Sequence, residues 1–224
     1  FESLRGILWG GPALGLLFMV LVVRQNSVWS DEGSLWANAN KRSPAAIEPH
    51  VYLGNHARTQ NNPQQALGHF KDALELDPDN IVASNNLANA YRDLRQWKTA
   101  LAIYQNVLKL NPSWSDVRYN AARTFQDAGD LEAARTHYLL VDSTSYHFDL
   151  ALNNLGTLFE EADKPDSAAF YYRTALEHRP TNVDARANLR RLQRKLPSFT
   201  HTMKADGRHG TVVELCRQLL MVDP

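Results

Sequence analysis

The chain has 224 residues, with 24 basic and 24 acidic side chains and therefore no formal net charge at pH 7. This balance argues against nucleic-acid binding, which needs a basic footprint, and we expect no nucleic-acid partner. The single cysteine, Cys216, excludes an internal disulfide framework.

The first segment, residues 1–25, is dominated by an uncharged apolar stretch over Ile7–Val23. Its length lies at the lower limit of the roughly 17–25 residues that cross a bilayer as a helix. A cleaved signal peptide would need small residues directly after this stretch, and Arg24 and Gln25 are not small. The sequence therefore predicts one transmembrane helix over this segment.

Within this predicted helix, three residues suggest how it packs. Trp9 lies near one end, where an indole ring favours the membrane interface. Gly11 and Gly15 form a small-xxx-small pair that lets a second helix approach closely. The alternative is that glycine is merely common in membrane helices. We therefore expect membrane lipid and other transmembrane helices among the partners.

Residues 26–46 form an amphipathic linker, with a helix predicted over Val28–Arg42. Trp29 and Trp36 are seven residues apart and so share one face of that helix. Two interpretations remain open. The tryptophans anchor at the membrane surface, or they pack on the next helix as an N-terminal cap.

Beyond the linker the chain repeats itself every 34 residues. In each repeat a small residue is followed four positions later by an aromatic one: Ala66 and Phe70, Ala100 and Tyr104, Ala134 and Tyr138, Ala168 and Tyr172. Apolar stripes at helical spacing predict two helices per repeat. Because neither helix can bury its stripe alone, neighbouring units stack. We predict four such units over residues 47–182.

This pattern resembles the tetratricopeptide repeat (TPR) family, whose repeat length is about 34 residues. The resemblance implies an all-α fold, a superhelical solenoid of helix-turn-helix repeats, preceded here by the predicted transmembrane helix. Residues 183–224 continue the pattern as a degenerate fifth unit. Its first helix is expected over Val183–Leu196, ended by Pro197, because proline lacks the N–H that continues a helix.

The junction before the repeats also resembles multi-pass TPR membrane proteins related to the transmembrane and TPR-containing O-mannosyltransferases. The residues that carry this similarity are Arg24, Trp29, Asp31, Leu35, Trp36, Pro44, Leu53 and Gly54. In that family the repeats face the lumen or periplasm, so the resemblance implies an extracytoplasmic solenoid in a single-pass fragment. The bias of flanking positive charges points weakly the other way, to the cytoplasm.

A candidate peptide-binding groove follows from four asparagines that recur with the same period: Asn86, Asn120, Asn154 and Asn188. They fall on the first helices, which line the concave face in the TPR family. An asparagine side chain offers both an acceptor and donors, so a row of them can hold the backbone of an extended peptide. This resembles the asparagine ladder of O-linked N-acetylglucosamine transferase. The same groove would contain Asn89, and Arg92 and Arg123 would contact acidic groups.

The alternative interpretation of the ladder is that each asparagine only fixes local helix geometry. Catalytic, cofactor-binding and metal sites are not expected, because none of the eight histidines has a ligand spacing and no phosphate loop or nucleophile elbow occurs. The resemblance places any catalytic activity upstream of Phe1.

Three functions are compatible with these features. The first is a membrane-anchored TPR scaffold that binds a protein or an extended peptide in its concave groove. The second is the C-terminal, substrate-recruiting TPR region of a multi-pass membrane glycosyltransferase. The third is a structural subunit of a membrane protein complex, in which Gly11, Gly15 and the tryptophans contact other chains.

Overall fold

A computed structural model describes Met19, residues 31–205 and Gly210. For residues 196–205 it describes the backbone only. Ten helices and no strands lie in residues 31–205. The helices are α1 (Glu32–Arg42), α2 (Ile47–Thr59), α3 (Pro63–Leu76), α4 (Ile81–Asp93), α5 (Trp97–Leu110), α6 (Ser115–Asp127), α7 (Leu131–Leu139), α8 (Phe148–Glu161), α9 (Pro165–His178) and α10 (Val183–Ala205).

The chain divides into two compact units at Leu94. In the described residues, the first unit holds α1 to α4 and the second unit holds α5 to α10. Within each unit every helix packs on the next one along the chain. This is the arrangement expected when amphipathic helices in tandem bury their stripes against neighbours.

The 34-residue period is visible in the backbone of the turns. Among the described residues, four adopt a positive φ between 53° and 84°, and they are spaced 34 apart: Asn61, Arg95, Gly129 and Asp163. Each follows the first helix of a repeat, where a left-handed residue commonly ends a helix. Glycine adopts this conformation most readily, and Gly129 supplies it in the third repeat.

Polar side chains cap several helices in the way the sequence spacing requires. The carboxamides of Asn62 and Asn80 accept hydrogen bonds from the third backbone N–H that follows them, at 3.2 and 2.9 Å. Asp130 and Asn182 do the same at the starts of α7 and α10, at 3.1 and 2.9 Å. These caps satisfy backbone donors that a helix start leaves unpaired.

In the first unit, α1 covers one side of α2. Asp31 caps α1 through a 2.8 Å hydrogen bond from the Ser34 N–H. Trp36 then stacks on Tyr52 of α2, with ring centroids 4.0 Å apart and planes 7° from parallel. Trp29 lies outside the described residues. This stack supports the capping interpretation for Trp36.

The second unit has one contiguous apolar core. It includes Tyr138 of α7, which contacts Tyr119 of α6 with ring centroids 5.9 Å apart. Residues of α8, among them Leu152 and Leu155, are buried in the same cluster. The core therefore joins helices from adjacent repeats, as a stacked array requires.

The third repeat departs from the regular pattern of the other repeats. Helix α7 has 9 residues, whereas α3, α5 and α9 have 14 each. The chain after it is held by side chains of α6: the Ser115 hydroxyl accepts from the Asp142 N–H at 3.0 Å, and Asp116 lies 2.9 Å from Nδ1 of His147. Polar contacts thus replace a helical turn.

Two sequence expectations need correction. Among the described residues, no helix combines the length and the apolar character needed to cross a membrane, and the predicted single-pass membrane location is therefore not supported. The stretch on which it was based, Ile7–Val23, lies outside the described residues except for Met19.

The second correction concerns Pro197. Helix α10 extends through it to Ala205, so Pro197 does not end the helix. The φ of proline is close to the helical value and its ring removes only one intrahelical hydrogen bond. A proline can therefore sit within a helix at an energetic cost.

Candidate peptide-binding face

In the second unit, α6, α8 and α10 are the first helices of consecutive repeats. We call one set of positions on them the asparagine face: Asn120, Arg123, Asn154, Thr157, Asn188 and Arg191. On each helix the two members are three residues apart and therefore lie on the same side. The three asparagines are half-buried, and Arg123 is exposed.

Two of these asparagines belong to a chain of side-chain hydrogen bonds that crosses three repeats. Asn188 Nδ2 donates to Asn153 Oδ1 at 2.9 Å, and Asn153 Nδ2 lies 3.4 Å from Asn154 Oδ1. Asn154 Nδ2 donates to the Tyr138 hydroxyl at 2.9 Å, which donates to Gln126 Oε1 at 2.8 Å. We call these five residues the amide chain.

The amide chain fixes the side chains without using all their hydrogen-bonding capacity. A carboxamide has two N–H donors and an oxygen with two lone pairs. Among the described residues, Asn154 makes one donated and one accepted bond, and Asn188 makes one donated bond. Each therefore keeps at least one donor for a ligand, already held in position.

Tyr138 is the buried anchor of this chain. It is 1% exposed, and burial raises the pKa of its hydroxyl, an effect that the hydrogen bond from Asn154 opposes. The phenol is therefore protonated at neutral pH and can donate to Gln126. The aromatic position of the repeat thus connects the apolar core to the asparagine face.

Next to the asparagines, α8 and α10 share a surface cleft of about 400 Å³, lined by Thr157, Glu160, Glu161, Arg191 and Lys195. Glu160 makes polar contacts with two other residues of this lining. Arg191 Nη2 is 2.7 Å from its Oε2, and Lys195 Nζ is 3.2 Å from its Oε1. The Tyr172 hydroxyl also donates to Glu160, at 3.2 Å.

These contacts set the charge of the cleft. Burial raises the pKa of Glu160, but the hydrogen bonds and charges of Arg191 and Lys195 outweigh this effect, so its pKa lies below the ordinary value of 4.5. Glu160 is therefore ionised at neutral pH and offsets one of the two cations. The cleft offers ionic groups of both signs beside apolar stems.

The remaining predicted site residues lie in the first unit, on α4. Asn86 is half-buried and Asn89 is 7% exposed. The Arg92 side chain is 10% exposed, and its Nη2 lies 3.5 Å from Asp93, which also pairs with Arg58 at 2.8 Å. Arg92 is therefore less accessible to a ligand than Arg123.

Sequence reasoning found the asparagines but not their supporting residues. Gln126, Asn153, Glu160 and Lys195 were absent from the predicted groove. One signal was available: Arg191 and Lys195 are four apart on α10, and Glu160 falls in the preceding repeat, 31 residues before Arg191. The pairing itself depends on the helix-to-helix register, which the sequence does not display.

One cluster of the first unit could hold a metal ion. His50 on α2 and His69 and Asp72 on α3 bring three potential ligand atoms within 4.8 Å of one another. The search for ligand spacings in the sequence missed it because the two histidines are on different helices. The available signal was the spacing of His69 and Asp72, three residues apart on one helix.

Comparisons with known proteins agree with this fold. Two tetratricopeptide repeat models match residues 47–80 and 69–102. The probable UDP-N-acetylglucosamine–peptide N-acetylglucosaminyltransferase SPINDLY of Hordeum vulgare is 28% identical over 166 residues, which is 71% of this chain and 18% of that protein. The Protein O-mannosyl-transferase TMTC1 of Homo sapiens is 31% identical over 83 residues, 37% of this chain and 9% of that protein.

Among solved structures, the fold is similar to YrrB, described as a TPR protein with an unusual peptide-binding site. The TM-score is 0.54 at 20% identity, covering 75% of this chain and 86% of that chain. Residues 47–102 therefore carry tetratricopeptide repeats, and the chain resembles the C-terminal region of TMTC-type O-mannosyltransferases. It spans less than a fifth of the length of SPINDLY or TMTC1. TPR solenoids are scaffolds for protein–protein interaction.

Proposed function

We propose that the second unit binds an extended peptide segment of a partner protein along the asparagine face. The observation that carries this proposal is the amide chain. It fixes Asn154 and Asn188 on adjacent repeats while leaving donors available, and peptide backbones present carbonyl acceptors at regular intervals. Preorganised donors lower the entropic cost of ordering the protein when a ligand binds.

The neighbouring groups indicate the chemistry of the peptide. Arg123 is exposed at one side of the face, and its guanidinium lies 5.9 Å from the Tyr119 ring centroid. Arg191 at the other side is half exposed and forms an ion pair with Glu160, which also pairs with Lys195. This arrangement suits a peptide that places an acidic side chain near Arg123. A second side chain of the peptide, of either charge, would pair with the ionic groups of the cleft.

The test starts from peptides selected by display-library panning on the full chain. The affinity of a selected peptide is then measured by fluorescence anisotropy for wild type and for the combined Asn120→Ala, Asn154→Ala and Asn188→Ala variant. We expect the variant to lose at least about tenfold in affinity, since each lost hydrogen bond contributes about 1 kcal/mol. Circular dichroism establishes that the variant is folded.

A matched control is the pair Gln105→Ala and Asn106→Ala, two exposed amides on α5 that lie outside the asparagine face. This control should bind like wild type. Wild-type affinity in the triple variant would show that the ladder serves only helix geometry, the alternative drawn from the sequence.

A second candidate function is that the repeats recruit the substrate of a protein glycosyltransferase. The observation that favours it is that both relatives named above are protein glycosyltransferases. Isolation of the protein from its native source, followed by mass spectrometry, tests this. A glycosyltransferase sequence joined to the repeats or recovered with them in constant ratio supports recruitment, and its absence contradicts it.

A further inference from the structure

The first unit contains a group of side chains that the proposed peptide-binding face does not use. His50 is 7% exposed and sits on α2, facing α3. His69 and Asp72 lie three residues apart on α3 and so project from one side of it. The two imidazole rings are tilted by 53°, with centroids 6.0 Å apart.

Two ring nitrogens in this group have no hydrogen-bond partner among the described residues. Nδ1 of His50 and Nδ1 of His69 are both buried, and neither makes a hydrogen bond with a described residue. Nδ1 of His50 lies 3.4 Å from Asp72 Oδ2 but lacks the alignment of a hydrogen bond. Buried polar atoms are nearly always paired, so these nitrogens require an explanation.

We propose that His50, His69 and Asp72 bind a zinc ion between α2 and α3. The three ligand atoms lie within 4.8 Å of one another. Ligand atoms about 2.0–2.1 Å from zinc are about 3.3 Å apart at the corners of a tetrahedron. The 3.4 Å between His50 and Asp72 already matches that edge, and the His69 ligand atom, within 4.8 Å of the other two, would close the remaining distance when the metal binds.

The donor set and the exposure both suit zinc. Two imidazoles and one carboxylate favour zinc over magnesium or calcium, which take oxygen ligands. The His50 side chain is 9% exposed, whereas that of Asp72 is 53% exposed. The site therefore has a buried base and one side open to solvent, through which the metal enters and at which water completes the tetrahedron.

Binding there would join the two helices of the first repeat. Because the three ligands converge only when α2 packs on α3, zinc binds the folded chain more tightly than the unfolded chain. Free zinc at 100 times its dissociation constant would raise the ratio of folded to unfolded molecules about 100-fold. The metal would thus act as a clamp on the repeat that begins the solenoid.

The test uses the full chain without a histidine tag, freed of metal by a chelator and titrated with zinc chloride in a calorimeter. We expect saturable binding that falls at least about tenfold in both His69→Ala and Asp72→Asn, the size of effect seen when a metal site loses a supporting group. These two variants are preferred because His50 is more deeply buried. Circular dichroism of the metal-free variants checks that they are folded.

His56→Ala is the matched control, since it removes an exposed histidine from the same helix, α2. It should bind zinc like wild type, and zinc should raise the thermal midpoint of the control and of wild type but not of the two ligand variants. Magnesium chloride should give no saturable heat. Absence of saturable zinc binding, or wild-type affinity in both ligand variants, would overturn the proposal.

Discussion

The first repeat, α2 with α3, and the fourth repeat, α8 with α9, pack in the same way but differ in polar chemistry. In each, a glycine of the first helix faces an aromatic ring of the second: Gly54 faces Phe70, and Gly156 faces Tyr172. A Cβ on either glycine would lie 2.4 Å from the ring. Close helix packing is thus common to both units.

The difference is one hydroxyl group. Phe70 has none, whereas Tyr172 donates to Glu160 and so connects the core to the ionic cleft. Tyr138 connects the core of the third repeat to Asn154 in the same manner. The aromatic position can therefore serve packing alone or can also position surface groups. Only the second unit, within the described residues, uses the tyrosine hydroxyl in this way.

The largest effect should come from removing the aromatic rings. Phe70→Ala and Tyr172→Ala each leave a cavity at a fully buried position, and we expect each to lower the free energy of unfolding by about 3–5 kcal/mol. Urea denaturation followed by circular dichroism measures the loss, and hydrogen exchange locates it. Protection should fall first around the substituted repeat. Equal loss throughout both units would contradict two separable compact units.

A smaller loss should follow from filling the space beside the rings. Gly54→Ala and Gly156→Ala each force a methyl group against a ring that is held on its other sides, and overpacking of this kind costs about 1–3 kcal/mol. Gly68→Ala on α3 is the control, because nothing lies within 4 Å of its added Cβ. It should stabilise the chain by up to about 1 kcal/mol through better helix propensity. Thermal midpoints that rise in all three variants would show that the rings can move.

Tyr138→Phe gives the aromatic position of the third repeat the same residue type as Phe70 in the first repeat. It removes the acceptor of Asn154 and the donor to Gln126, and we expect a loss of about 1 kcal/mol, because water can reach both amides. Tyr146→Phe is the control, since that ring is 70% exposed and its change should stay within about 0.5 kcal/mol. The peptide affinity of Tyr138→Phe should also fall. Unchanged peptide affinity in this variant would show that the amide chain does not contribute to peptide binding.

The smallest effect should be the pH dependence that Glu160 contributes. Its pKa is lowered in the folded chain, so its contribution is present above pH 4.5 and is lost as the pH falls below that value through the folded pKa. Because Glu160 is partly exposed, solvent screening limits the contribution to below about 1 kcal/mol.

Glu160→Gln tests this directly. The stability difference between wild type and this variant should be greatest at pH 7 and should shrink as the pH falls below 4.5. Glu161→Gln is the control, because Glu161 is exposed and makes no ion pair with a described residue. A stability difference that increases as the pH falls would mean that folding raises the pKa of Glu160 instead of lowering it.

The repeat architecture could be predicted from the amino-acid sequence alone. The 34-residue spacing of small and aromatic residues predicted the repeating two-helix units. These features follow from local physics, because helical periodicity and turn conformation depend on residues that are close in the chain. The same reasoning gave the register of the asparagines on the first helices.

The side chains that meet across repeats could not be predicted from the sequence. The pairings of Asn188 with Asn153, of Arg191 with Glu160 and of His50 with His69 depend on how helices from distant sequence positions pack. Sequence periodicity assigns a residue to a face but does not assign its partner on another helix. The ending of α10 was mispredicted for a related reason. A proline raises the cost of a helix, and the balance with other contacts decides whether the helix continues.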